Sequence, residues 1–223
     1  TLEASRYKLP REKEWLAGNC RVQVFKDDGT FIRQFPVRGP GLEADSDLAR
    51  LAVDGRGNVY VTRHEAGLVQ QYGPDGAWVR DISVPDAHAI AVRRMAGQEQ
   101  ILVVPRPLQR GKPVVECKQV VVFDSDGRPG DPIPLARPVT DCQDLATDAA
   151  GRLYMQAALN VVFIFDAQGG LGTVLGGGTR RNRGDGSELL RTVAVDSRGH
   201  LLSMTPGNPG KVVKFSPDLK TVS

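Results

Sequence analysis

One phrase returns along this chain, and its return limits the fold more than any other feature. Gly18-Asn19-Cys20-Arg21-Val22-Gln23-Val24-Phe25 is followed by Asp28-Gly29-Thr30-Phe31-Ile32-Arg33. Tyr72-Gly73-Pro74-Asp75-Gly76-Ala77-Trp78-Val79-Arg80 is a second version. Val121-Val122-Phe123-Asp124-Ser125-Asp126-Gly127 is a third, and Phe163-Ile164-Phe165-Asp166-Ala167-Gln168-Gly169 a fourth. Val213-Lys214-Phe215-Ser216-Pro217-Asp218 is a fifth. The aromatic anchors are Phe25, Tyr72, Phe123, Phe165 and Phe215, a period of roughly 40 to 50 residues. Such a chain folds as an array of like units, each too small to bury its own apolar face.

The second unit is the clearest. Leu51-Ala52-Val53-Asp54 is an inner strand, and Gly55-Arg56-Gly57-Asn58 is a turn. Val59 to Thr62 is a second strand, Leu68 to Tyr72 a third, and Trp78 to Ile82 an outer strand after the Asp75-Gly76 hairpin turn. Four short antiparallel strands at this period make one blade of a β-propeller. Leu145-Ala146-Thr147-Asp148 and Val193-Ala194-Val195-Asp196 open the fourth and fifth units in the same way. Asp54, Asp148 and Asp196 recur at one repeat position, the signature of a turn cap rather than of a unique active site. The third unit is degenerate. Arg93 replaces the aspartate, and the spacing predicts a turn lengthened by Arg94 to Glu99.

The bulk numbers fit this reading. The chain has 223 residues, 40% hydrophobic and 25% charged, which suits a globular domain with a substantial core. No apolar run approaches the roughly 18 residues of a membrane span. The chain begins Thr1-Leu2-Glu3, with neither Met nor a signal peptide, so a removed leader or further upstream chain is expected. A net charge of +3 is too small to imply nucleic-acid binding. Cys20, Cys117 and Cys142 form no CxxC pair, so no zinc or redox motif is present.

The sequence of inner strand, Ala-Val-Asp, Gly-Asn turn, Val-Tyr-Val, Gly-Asn-x-Arg-Val-Gln-Val-Phe, x-Asp-Gly and Phe-Ile-Arg-x-Phe resembles the NHL repeat. The resemblance runs from about Lys13 onward and is strongest in the first, second and fifth copies. It implies an all-β fold, a β-propeller of four-stranded antiparallel blades, commonly six, with inner strands lining a central channel. The first unit departs from the pattern. No Ala-Val-Asp element precedes it; Glu14-Trp15-Leu16 stands as its second strand, and Leu2 to Leu9 only loosely as an inner one. Residues 1–12 are therefore an N-terminal extension or partial inner strand, and residues 13–223 the propeller, with about five units visible. A propeller must close. Five blades closed by the N-terminal segment, part of a longer six- or seven-bladed propeller, or a partner covering the gap remain open.

In such a propeller, ligands meet the loops after the second and outer strands. Pro105 to Pro113 is basic and proline-rich, and Gly176 to Gly186 is glycine-rich with three arginines. These loops predict a basic binding face of Arg63, His64, Arg106, Arg110, Lys112, Arg180, Arg181 and Arg183, suited to a protein partner with an acidic surface. Solvated loops without a partner are the alternative. No aromatic residue interrupts the basic loops, which disfavours RNA, and Gly176 to Thr179 lacks the Gly-Lys-Ser/Thr of a phosphate loop. Placed on adjacent blades, Cys117 and Cys142 are a disulfide candidate. That bond would close a loop of about 25 residues, worth roughly 3 kcal/mol, and would imply an extracytoplasmic setting, periplasmic or secreted. Cys20 is expected to be a free thiol.

Enzyme readings fare worse on the residues. Peptide-amidating lyases of related architecture bind zinc through histidines around the channel, but His64, His88 and His200 are split between two faces of the expected fold. Lactonase-type propellers hold calcium, and the equivalent positions here are Arg50, Ala89, Asp144 and Thr192, a poor cation cage. Acid–base chemistry through Asp141, Asp144 and His88 at one channel mouth is geometrically conceivable. The expectation is a non-catalytic binding platform, or a subunit of a larger assembly, with no cofactor, no metal and no membrane span. The alternative is an extracytoplasmic metal-dependent hydrolase or lyase with its site in the channel.

Overall fold

The computed structural model describes residues 2–3, 20–39, 48–107, 116–176, 190, 192–205 and 211–219. Its fold class is all-β and of the β-propeller type: five antiparallel meander sheets, three of them four-stranded. The first sheet is β1 (Leu2–Glu3), β2 (Arg21–Phe25) and β3 (Phe31–Pro36). The second is β4 (Leu48–Val53), β5 (Val59–Arg63), β6 (Leu68–Tyr72) and β7 (Trp78–Ser83). The third is β8 (Ala87–Met95), β9 (Gln98–Pro105), β10 (Glu116–Asp124) and β11 (Ile133–Thr140). The fourth is β12 (Asp144–Thr147), β13 (Leu153–Ala157), β14 (Val161–Phe165) and β15 (Leu171–Gly176), with a 3-10 turn at Ala158–Asn160. The fifth is β16 (Ala194–Val195), β17 (Leu201–Thr205) and β18 (Lys211–Phe215).

The chain divides into two compact units, Thr1–Ala87 and His88–Ser223. In the first unit, Cys20, Val22, Phe35 and Val37 pack against Val59, Val61 and Tyr72 of the second sheet. The Phe35 and Tyr72 rings lie 5.2 Å apart. In the second unit the fourth sheet is covered on both faces. Leu153, Met155 and Phe165 join the third sheet's Leu102, Val104 and Val122. Tyr154, Val162 and Ile164 join the fifth sheet's Leu201, Val213 and Phe215. Side chains alternate across a strand, so β13 is buried along its whole length and reads as a continuous apolar run broken only by Gln156.

Two details differ from the sequence reading. The segment Arg94 to Glu99 is not a long turn. Strands β8 and β9 extend into it and meet at a two-residue turn, Ala96-Gly97, with φ of 50° and 80°. Paired positive φ is what a tight hairpin of right-twisted strands demands, and it lets the strands run on. In the first sheet, Leu2–Glu3 pairs with Val22 and Arg21, the place a second strand takes in the complete sheets, rather than forming an inner strand. Glu14 to Leu16, expected there, lies outside the described residues.

Ala96 is exposed and carries the strain of a left-handed conformation without a side chain that offsets it. Ala96→Asn should stabilise the protein by about 0.5–1 kcal/mol, measured as a rise in the urea midpoint at unchanged slope.

Candidate binding face and the seams between blades

The aspartates of the repeat each close a five-residue turn. Asp54 Oδ1 accepts from the Arg56 and Asn58 backbone N–H groups at 2.9 and 2.8 Å. Its Oδ2 accepts from Asn58 Nδ2 at 2.6 Å and from the Tyr60 hydroxyl at 3.1 Å. Asp148 repeats this pattern. Its Oδ1 takes the Ala150 and Arg152 N–H groups at 3.0 and 2.9 Å, and its Oδ2 takes Arg152 Nε at 2.6 Å and the Tyr154 hydroxyl at 3.1 Å. In the fifth sheet Asp196 Oδ1 accepts from the Arg198 and His200 N–H groups, both at 2.9 Å. His200 Nδ1 lies 2.9 Å from Asp196 Oδ2, so that nitrogen carries the proton. Leu202 stands where the tyrosine would, and Lys214 Nζ supplies the remaining donor at 3.2 Å.

These bonds set the protonation of the groups. Burial works against ionisation of Asp148, but the side-chain and backbone bonds from Arg152 outweigh it and hold the carboxyl below its ordinary value. The Tyr154 hydroxyl is pushed up to about 12, first by burial and then by the Asp148 charge. The His200 backbone bond holds Asp196 below the usual carboxylate range; burial opposes it, and the side-chain bonds from Lys214 and His200 add to it.

The residues expected to form a basic face separate into three groups. Arg63 is 2% exposed, and its Nη1 donates to the Arg38 carbonyl at 2.7 Å. It ties the second sheet to the strand leaving the first. Gly39 makes room for it: a Cβ there would sit 2.2 Å from Arg63 Nη1, and the backbone has φ +119°. Arg38 N–H in turn donates to the Tyr72 hydroxyl at 2.9 Å. His64 is also buried. Burial removes both residues from a contact surface, which corrects the sequence reading. Arg106 pairs through Nε with Asp141 Oδ1 at 2.5 Å, so its charge is already answered by a carboxylate beside it. Arg110, Lys112, Arg180, Arg181 and Arg183 lie outside the described residues.

The expected disulfide is not confirmed. Cys117 and Cys142 belong to one apolar cluster, yet both are thiols. Each sulfur is turned toward a carbonyl of its own strand region: Cys117 Sγ to Gln119 O at 3.0 Å, Cys142 Sγ to Asp144 O at 3.5 Å. Burial raises both thiols, Cys142 the more strongly. Cys20 is a buried thiol as well.

Sequence reasoning passed over one residue of structural weight. Arg93, which replaces the repeat aspartate, is 7% exposed and crosses from the third sheet to the fourth. Its Nη1 donates to the Ala167 and Gly151 carbonyls at 2.9 and 3.2 Å, and its Nε to Gln100 Oε1 at 2.9 Å. An arginine breaking an otherwise repeated aspartate was the available signal. Around the channel-side candidates, Asp144 Oδ2 accepts from the Val193 N–H at 3.1 Å, joining the fourth and fifth sheets' segments. Asp141 is held by Arg106, and His88 is buried. Among the described residues no group of three or more His, Cys, Asp or Glu stands in metal-binding proximity.

Comparison with known proteins places the fold. No family model matches the chain, and no curated protein does. Many solved structures are similar, among them three at 12% identity. A protein of unknown function from Bacteroides caccae superposes with TM-score 0.57 over 91% of this chain and 67% of that one. The selenomethionine-substituted virginiamycin B lyase from Staphylococcus aureus gives 0.52 over 90% and 64%. The WD40 domain of Pan2 from Neurospora crassa gives 0.55 over 92% and 59%. The chain thus spans less than two thirds of the last two. These neighbours are β-propellers, and at this identity the likeness defines the fold class alone.

Two outcomes test the seams and caps. Arg93→Leu should cost about 3 kcal/mol, because two buried carbonyls lose a charged donor; equilibrium urea unfolding reads it. Asp148 has a depressed pKa in the fold. Its contribution is therefore present above the ordinary aspartate pKa and lost as pH falls through the lower folded value. Stability of the wild type should fall over that acid range, and Asp148→Asn should flatten that part of the profile.

Proposed function

We propose that this chain is an NHL-type β-propeller acting as a non-catalytic platform that recognises another protein. One observation carries the reading. The ionisable residues that repeat are engaged in turns, as Asp54, Asp148 and Asp196 are. The basic residues of the two long loops, by contrast, do not repeat. A rigid scaffold carrying unlike loops suits recognition. With Arg63 and His64 buried and Arg106 held by Asp141, the contact surface we propose narrows to Arg110, Lys112, Arg180, Arg181 and Arg183. Guanidinium groups make paired hydrogen bonds to carboxylates, so a partner with an acidic surface is the chemistry they match.

The similarity to a lyase structure keeps a channel enzyme as the competing reading. Two measurements separate them. A labelled polyglutamate peptide should bind the full chain with an affinity that falls as salt rises, and the Arg180→Ala, Arg181→Ala, Arg183→Ala triple variant should bind it about tenfold more weakly. Equal binding by the variant would overturn the assignment. Metal analysis of the purified protein addresses the enzyme: zinc or calcium at one ion per chain would favour a metal-dependent hydrolase or lyase over the platform.

A further inference from the structure

A cleft of about 420 Å³ opens between the first and second sheets of the N-terminal unit. Val24, Phe25 and Phe35 line it from the first sheet, and Leu51, Val53 and Pro74 from the second. Two polar side chains, Gln23 and Arg33, complete the lining. Among the described residues the first sheet is narrower than its neighbour. Its strand β1 spans two residues, where the second sheet has two full strands at the same place. Val53, at the end of the inner strand β4, is 53% exposed.

The charge at this cleft is placed by register. Val24 pairs with Arg33 and Val22 with Phe35 across β2 and β3. Cross-strand partners share a face, and so do residues two apart along a strand. Val22, Val24, Arg33 and Phe35 therefore project from one face, the one whose Val22 and Phe35 pack on the second sheet. Arg33 stands at the exposed end of that row, and among the described residues no carboxylate pairs with its guanidinium. An apolar hollow of small-molecule size with one unanswered cation at its margin is a site for a particular chemistry.

We propose that this cleft binds a small apolar molecule carrying a single anionic head, a carboxylate or sulfonate. The apolar body lies against Val24, Phe35, Leu51 and Val53, and the head meets Arg33. The volume lies within the range of small-ligand sites and the cleft is walled by two sheets, which favours a compact ligand over a protein surface. This site shares no residue with the loops assigned to partner recognition.

Two dyes with nearly the same body test it on the full chain: anilinonaphthalene sulfonate and the uncharged phenylnaphthylamine. The wild type should bind one sulfonate per chain, about tenfold more tightly than the neutral dye. Arg33→Gln should bring the two affinities within about twofold by weakening the sulfonate alone, and Arg33→Lys should restore the preference in part. Val53→Trp fills the hollow from an exposed position and should abolish binding of both dyes at an unchanged melting temperature. The proposal is overturned if the wild type shows no saturable one-to-one binding, or if Arg33→Gln leaves the preference intact. Wild-type binding of either dye by a folded Val53→Trp protein would place the dye elsewhere and overturn it as well. Arg33 is exposed, so its variants decide the matter even where the tryptophan disturbs folding.

Discussion

The carboxylate that closes the turn between inner and second strands is the interaction on which the blades depend. A two-stranded unit of four or five residues is marginal by itself, because its few ladder bonds do not offset the entropy of ordering it. Asp54, Asp148 and Asp196 each add two bonds to backbone N–H groups and at least one to a side chain four residues on. The same arrangement appears between third and outer strands. Asp124 Oδ1 takes the Asp126 and Arg128 N–H groups at 2.8 Å each, and Asp166 Oδ1 takes those of Gln168 and Gly170 at 2.9 and 2.8 Å. Fixed turns set the register, and register decides which side chains face the next sheet. The apolar clusters between sheets follow from that choice.

Turns also serve as the points at which sheets approach one another most closely. A Cβ on Gly76 would lie 2.5 Å from the Phe35 ring, and one on Gly169 would lie 1.9 Å from the Pro134 carbonyl oxygen. Both glycines end the third-to-outer hairpin of one sheet and abut the outer strand of the sheet before it. The glycine of this hairpin turn thus answers two demands at once, a left-handed backbone and a lack of bulk against the neighbour. The backbone bond from the Ala136 N–H to the Gly169 carbonyl, at 2.9 Å, runs through the same gap.

The architecture was legible because propeller blades write their turns into the sequence. Strand positions in the second and fourth units followed from apolar alternation between recognisable turn residues. The recurring aspartate was read as a cap and is one. Legibility ended where the pattern was broken. The Arg94 to Glu99 segment looked like an insertion because a two-residue turn with alanine at a positive φ has no residue signature. The hollow between the first and second sheets had no signal in the sequence. The pairing of Cys117 with Cys142 is not confirmed, for a different reason. Placing two residues in one cluster says nothing of where their sulfurs point, and here each bonds a nearby carbonyl.

The arginines carry the same lesson with more consequence for function. A count of basic residues on a loop map treats each guanidinium as a contact, but the fold assigns them to distinct tasks. Arg63 and Arg93 are buried and bridge sheets through backbone carbonyls. Arg152 closes a turn and lies over the Tyr154 ring at 5.6 Å. Arg106 answers Asp141. A planar, permanently charged donor fork suits these roles because several carbonyls can be met at once without a neutral form to fall back on. Arg33 differs from all of them in having apolar neighbours and no anion. Within the described residues it is this isolation, and not basicity summed over a face, that separates an arginine available to a ligand from one already engaged in holding the propeller together.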